Sequence, residues 1–227
     1  MPYITADESS DAEAYYYLGM AYQNGDPSQN IPYDLVEAER LLRIAVEAGN
    51  LDAIMTLARQ YNHGVNVNKS PKEAARLYLL AAQRGHPEAQ FEMGNFHVMS
   101  KGLADEKNID IAIDWWNKAA INGSAIAHKA LVLFLTSTND KGGLYRLAQR
   151  YYEIKQKILA LEVWERGAEM GDPNSQYTLG VILCEDGRRS EGMDWLDKAA
   201  EAGHEEAKKY IAAVYNVESD IDSVDSV

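Results

Sequence analysis

SPKEAARLYLLAAQRGHPEAQFEMGNFH, residues 70–97, reads as one whole helix, a turn and the start of the next. Ser70 and Glu73 stand at capping-box spacing, with Pro71 just inside the helix they open. A small residue, Ala74, is followed by the bulky pair Leu77-Tyr78 and then by Ala81-Ala82. Gly85 fits the left-handed residue just past a helix end, and Pro87 suits the first position of the next helix. Ala89, Met93, Gly94 and His97 follow at spacings that place them on one helical face. The small residue among them marks where a neighbouring helix comes close.

The same design recurs outward from this stretch. Ala45-Val-Glu-Ala-Gly49, Ala119-Ala-Ile-Asn-Gly123, Gly167-Ala-Glu-Met-Gly171 and Ala199-Ala-Glu-Ala-Gly203 match Ala81-Ala-Gln-Arg-Gly85, with the glycines 36, 38, 48 and 32 residues apart. Four residues after the glycines come Ala53, Ala89, Ala127, Ser175 and Ala207, a series that Ala14 begins. Leu18, Leu57, Met93, Leu131, Leu179 and Ile211 follow, each with a small or branched neighbour, Gly19, Ala58, Gly94, Val132, Gly180 and Ala212. Eleven residues before the glycines stand Ala38, Ala74, Ala112, Ala160 and Gly192; the bulky pairs behind them include Leu41-Leu42, Trp115-Trp116 and Val163-Trp164. Each unit is therefore a helical hairpin with small-against-large packing.

The pattern A-x3-L-G-x2-Y, then D/S/N-x3-A-x2-W, then A-A-x2-G resembles the Sel-1-like repeats of the tetratricopeptide-repeat superfamily. The resemblance covers about residues 11–216 and implies an all-α, right-handed α-solenoid of about five helix-turn-helix repeats, used as an adaptor or scaffold for protein complexes. On this reading residues 1–10 flank the array, and units fall near 11–50, 51–86, 87–123, 143–174 and 175–206, with a capping helix at 207–216. Residues 124–142 are irregular: Ser124–Thr138 is either an extra helix or the remnant of a degenerate unit. Residues 217–227, acidic and without aromatics, are expected to form a flexible tail.

The 227 residues carry 22 Lys and Arg against 35 Asp and Glu, a formal net charge of −13. That balance argues against sequence-independent nucleic-acid binding and against an anionic membrane surface, and leaves a basic protein or peptide as the electrostatic favourite. The first twenty residues show neither basic residues nor an apolar core of a signal peptide, and no stretch is long and apolar enough to span a bilayer. With one cysteine, Cys184, read as a buried inert thiol, the expected location is the cytoplasm.

Catalytic signatures are missing from the residues: no phosphate-binding glycine loop, no nucleophile elbow, no H-E-x-x-H. The histidines His63, His86, His97, His128 and His204 are dispersed. No enzyme activity, cofactor or metal is expected. Binding is expected instead on the groove lined by the first helix of each hairpin. The positions two and six residues after the first alanine supply the candidates Tyr16, Met20, Met55, Arg59, Phe91, Asn95, Tyr145, Gln149 and Tyr177, to which Asn62 is added. Apolar anchors there would hold a protein or peptide partner, and Arg59, Asn62 and Asn95 would bond its backbone or carboxylates. The chain is expected to be a monomer, with a homo-oligomer as the alternative. A bacterial immunity protein neutralising a basic toxin, or an effector-associated adaptor, is the sharper version of this reading; a hydrolase of repeat architecture is its rival from another class.

Overall fold

A computed structural model describes the backbone of residues 8–99 and 108–224, with side chains from 11 to 99 and from 108 to 214. All regular structure among the described residues is helical: twelve α-helices packed in consecutive pairs, about six helix-turn-helix units. They are α1 (Glu8–Asn24), α2 (Leu35–Glu47), α3 (Leu51–His63), α4 (Pro71–Gln83), α5 (Pro87–Met99), α6 (Ile109–Ile121), α7 (Ala125–Ser137), α8 (Lys141–Glu153), α9 (Lys157–Glu169), α10 (Pro173–Glu185), α11 (Arg189–Glu201) and α12 (Glu205–Val224). Hairpins form between α1 and α2, α3 and α4, α5 and α6, α8 and α9, and α10 and α11. The chain divides into two compact units, Met1–Lys129 and Ala130–Val227, treated separately below.

The junctions at the five turn glycines follow the same local chemistry. The glycines at 49, 85, 123, 171 and 203 all have positive φ, a conformation that a side chain would strain. The residue after each one caps the next helix: Asn50, Ser124 and Asp172 accept from the third backbone N–H onward, as their types predict. His86 and His204 do the same work through Nδ1, which accepts from the Ala89 and Ala207 amides at 3.3 and 3.2 Å. Junctions are also laced to one another. Arg84 donates to the Gly49 carbonyl and Asn122 to the Gly85 carbonyl, each side chain just before a turn glycine reaching the previous turn. Gln90 and Gln176, five residues past their glycines, donate to the Ala82 and Ala168 carbonyls.

Small-against-large packing holds within the hairpins. Leu42, Trp116 and Leu196 of the second helices pack against Gly19, Gly94 and Gly180 of the first ones, and Ala38, Ala74, Ala112 and Ala160 are buried one turn away from bulky residues on the same helix face. The backbones of α10 and α11 approach so closely that Gly180 and Gly192 face each other's carbonyls. In unit 1 one apolar cluster runs from Leu42 through α3 and α4 to Phe96.

The structure revises two expectations and decides between the two readings of a third. Ala14 and Leu18 keep the register of the series, with Gly19 set against Leu42, but both are exposed, Leu18 at 39%, unlike their buried counterparts in α3 and α5. No described helix precedes α1, so the face that α3 and α5 turn to a preceding hairpin stays open on it. Residues 125–137 form a full helix, α7, ended by Asn139 in the left-handed region and followed by Asp140, which caps α8 at the Gly143 amide. The eighth helix therefore begins at Lys141. Finally, α12 continues to Val224, through most of the stretch read as a flexible tail; Asp225-Ser226-Val227 lie outside the described residues, as do 1–7 and the connector residues 100–107.

Candidate binding surfaces on the first helices

In unit 1 the candidate residues lie on α1, α3 and α5. Tyr16 and Met20 of α1 are half-buried and pack against the apolar cluster, with the Tyr16 ring 5.3 Å from that of Tyr17. Phe91 on α5 is also half-buried, its ring 6.5 Å from that of Trp116. These three present part of their surface outward. Met55, in the same repeat register as Tyr16 and Phe91, is 2% exposed and belongs to the core. Asn62 is buried as well, and its amide is hydrogen-bonded to the Tyr78 hydroxyl. Both are packing residues, not accessible contacts.

Polar members of the row are already engaged inside the protein. Arg59 donates in a fork to Glu88 on α5, Nε to Oε1 at 2.8 Å and Nη2 to Oε2 at 2.5 Å, bridging two hairpins. The guanidinium holds the Glu88 carboxyl below its ordinary range. Asn95 accepts from the Trp116 indole N–H at 3.3 Å. Sequence reasoning missed both contacts because Glu88 lies on the next hairpin and Trp116 on the second helix of the same one, and a partner on another helix leaves no mark in a single helix's periodicity.

The surroundings of this row are acidic. The Tyr17 phenol is pushed up chiefly by Glu13, with Asp52 adding to the effect. Tyr78 is driven up first by burial and then by Glu92 and Glu88. Glu13 and Asp52 thus lie near the exposed Tyr17, and Glu88 and Glu92 near the buried Tyr78.

In unit 2 the candidate residues lie on α8 and α10. Tyr145 is half-buried and accepts from Gln149 Nε2 at 3.2 Å; Gln149 is exposed. Tyr177 stacks on His204, ring centroids 4.5 Å apart and planes 19° from parallel, and packs with Val181 against the cluster of Leu196, Ala199 and Ala207. The Cys184 thiol beside them is pushed up by burial, away from the reactive thiolate.

Among the described residues no group of three His, Cys, Asp or Glu side chains stands close enough to hold a metal ion, and no helix is long and apolar enough to cross a membrane.

Over 191 residues the chain is 22% identical to the chitin synthase regulator SKT5 of Saccharomyces cerevisiae, a match covering 81% of this chain and 25% of that protein. Over 107 residues it is 30% identical to an F-box protein of Arabidopsis thaliana, covering 46% of this chain and 26% of that one. The chain therefore spans about a quarter of the length of these curated relatives. A protective antigen present in uropathogenic Escherichia coli strains, whose structure displays an SLR fold, superposes with a TM-score of 0.50 at 25% identity over 92% of this chain and 50% of its own. The Sel1 repeat matches residues 12–50, 52–86, 87–124 and 173–204, leaving α7, α8 and α9 as the stretch between matches. With hairpins, turn glycines and caps in the same phase as those matches, the chain belongs to the Sel1 repeat family.

Proposed function

We propose that this Sel1 repeat protein is a non-enzymatic scaffold that holds a basic protein or peptide against the first-helix face of unit 1. The observation that carries this reading is the row of half-buried Tyr16, Met20 and Phe91 on α1 and α5, helices that also carry Glu13, Glu88 and Glu92. Half-exposed aromatics fixed by packing offer contact area at little entropic cost, and surrounding carboxylates accelerate encounter with a cationic partner. Tyr145, Gln149 and Tyr177 form the corresponding surface of unit 2. The Arg59–Glu88 pair gives the unit 1 surface a device for accepting a cation: a partner lysine or arginine competes with Arg59 for the carboxylate. A single cysteine suits a reducing compartment, which supports a cytoplasmic location.

Affinity capture tests the reading. Wild-type chain and a Tyr16→Ala/Phe91→Ala variant are used as baits in native lysate and washed across a salt series. One stoichiometric basic protein, retained by wild type, released by salt and lost from the variant, is the expected result. If that protein is a toxin whose activity the scaffold blocks, the scaffold is an immunity protein. Equal retention by both baits refutes the first-helix site.

A further inference from the structure

The second helices of unit 1 carry a different surface. On α4, Glu73, Arg76, Leu77, Leu80 and Arg84 fall at spacings of three and four, one stripe of the helix. On α2, Arg43, Val46 and Glu47 form the stripe that faces it. The two helices enclose an open groove of about 530 Å³ with α3 beneath it. Leu57 and Leu77, both buried, make the floor, and Val46 and Leu80 are half-buried at its sides.

Arginine is concentrated here. Residues 1–129 contain five arginines, and Arg43, Arg76 and Arg84 all line this groove, in a chain whose net charge is −13. Each guanidinium is held in place by part of its hydrogen-bonding capacity. Arg43 Nη2 donates to Glu39 and to the Tyr61 hydroxyl, both at 2.7 Å. Arg76 Nε donates to Glu73 at 3.0 Å, and Arg84 Nη1 to the Gly49 carbonyl at 2.6 Å. A guanidinium has five N–H donors, so each fork is oriented with donors to spare. Arg84 is anchored by a neutral carbonyl, which leaves its charge uncompensated by that bond. Fixed arginine forks above an apolar floor fit carboxylates, which they bind in bidentate fashion. Glu47 and Glu73 on the same rim repel a continuous polyanion, so the fit is to separated carboxylates and not to a phosphate chain.

We infer that the groove between α2 and α4 is a second binding site, and that it takes a peptide segment presenting carboxylates beside apolar side chains. This site lies on helices that the first-helix row does not use, prefers the opposite charge, and stands whether or not that row binds anything. A scaffold with both would join a basic partner to an acidic one.

The test is fluorescence anisotropy on the full chain with a fluorescein-labelled nine-residue peptide alternating glutamate and leucine. Matched glutamine–leucine and lysine–leucine peptides serve as comparisons. Saturable binding of the glutamate peptide and not of the glutamine peptide is expected, weakened at least about tenfold by Arg76→Met/Arg84→Met, whereas any binding of the lysine peptide belongs to the first-helix row and is unmoved by those substitutions. Because Arg84 also laces two turns, Leu80→Glu is the second variant: it adds a carboxylate to the rim, leaves every arginine in place and is expected to weaken binding about as much. The Tyr16→Ala/Phe91→Ala chain, checked by circular dichroism for unchanged helix content, is expected to bind as wild type does. Absence of saturation up to about 1 mM peptide, equal binding of the glutamine peptide, or wild-type affinity in both groove variants overturns the inference.

Discussion

Gly192→Ala separates packing from propensity in one substitution. Alanine is the better helix former by about 1 kcal/mol, and it also restricts the unfolded chain, so in an open helical position the change stabilises. Gly192 is not open. A Cβ there would stand 2.6 Å from the Gly180 carbonyl oxygen, 2.9 Å from the Cys184 amide nitrogen and 2.5 Å from Cys184 Sγ. The thiol can rotate away, but the two backbone atoms move only with α10. The carbonyl falls about 0.8 Å short of ordinary contact, so α10 and α11 have to separate by roughly that amount. Overpacking of this kind costs about 1–3 kcal/mol, enough to cancel or outweigh the propensity gain, and the expected net effect is destabilisation of up to about 2 kcal/mol. Gly142→Ala is the internal control, since its Cβ would meet only the mobile Arg146 guanidinium at 3.3 Å and the Asp140 carboxylate at 3.8 Å. That change is expected to raise stability by about 0.5 kcal/mol. Urea titrations followed by circular dichroism at the helix band compare the two variants with wild type. A Gly192→Ala chain at least as stable as wild type refutes the close-approach argument.

Met55→Ala is expected to cost about 2–5 kcal/mol in the same titration, because it empties a fully enclosed position, whereas Tyr16→Ala costs much less. Replacing His86 by Ala removes a helix cap at a cost of about 1 kcal/mol, and His86→Asn, which supplies another acceptor, is expected to restore most of it; equal melting temperatures for the two exclude capping by Nδ1. Glu88→Gln is expected to cost under about 1 kcal/mol, since Arg59 and Glu88 are 48% and 45% exposed and solvent screens the pair. Arg59 lowers the Glu88 pKa in the folded state, so the pair's contribution is present above the ordinary value of 4.5 and is lost as pH falls through the lowered one. Melting temperatures of wild type and Glu88→Gln are therefore expected to differ near neutrality and converge in acid.

The hairpins were legible in the sequence because their determinants are local. A turn glycine, a cap beside it and an alanine four residues on act within one junction, and repetition makes the pattern visible despite imperfect copies. Even α7 announced itself as too much helix for the 48-residue interval between Gly123 and Gly171. The binding surface obeys a different logic. Tyr16, Met55 and Phe91 share one register, yet Met55 is enclosed while the other two stay half-open. Exposure in a stack of hairpins depends on which neighbours flank a helix and how large their side chains are, and neither is encoded at the position itself. The arginine groove shows the limit more sharply. Arg43 lies six residues before its turn glycine, Arg76 nine and Arg84 one before theirs, so aligning the repeats scatters them across unrelated positions. They meet because α2 and α4 are neighbours across α3, and stripes from both helices close on one space. Register comparison finds what the repeats have in common, whereas a site that distinguishes this chain from other arrays of the same hairpins is built from what they do not share.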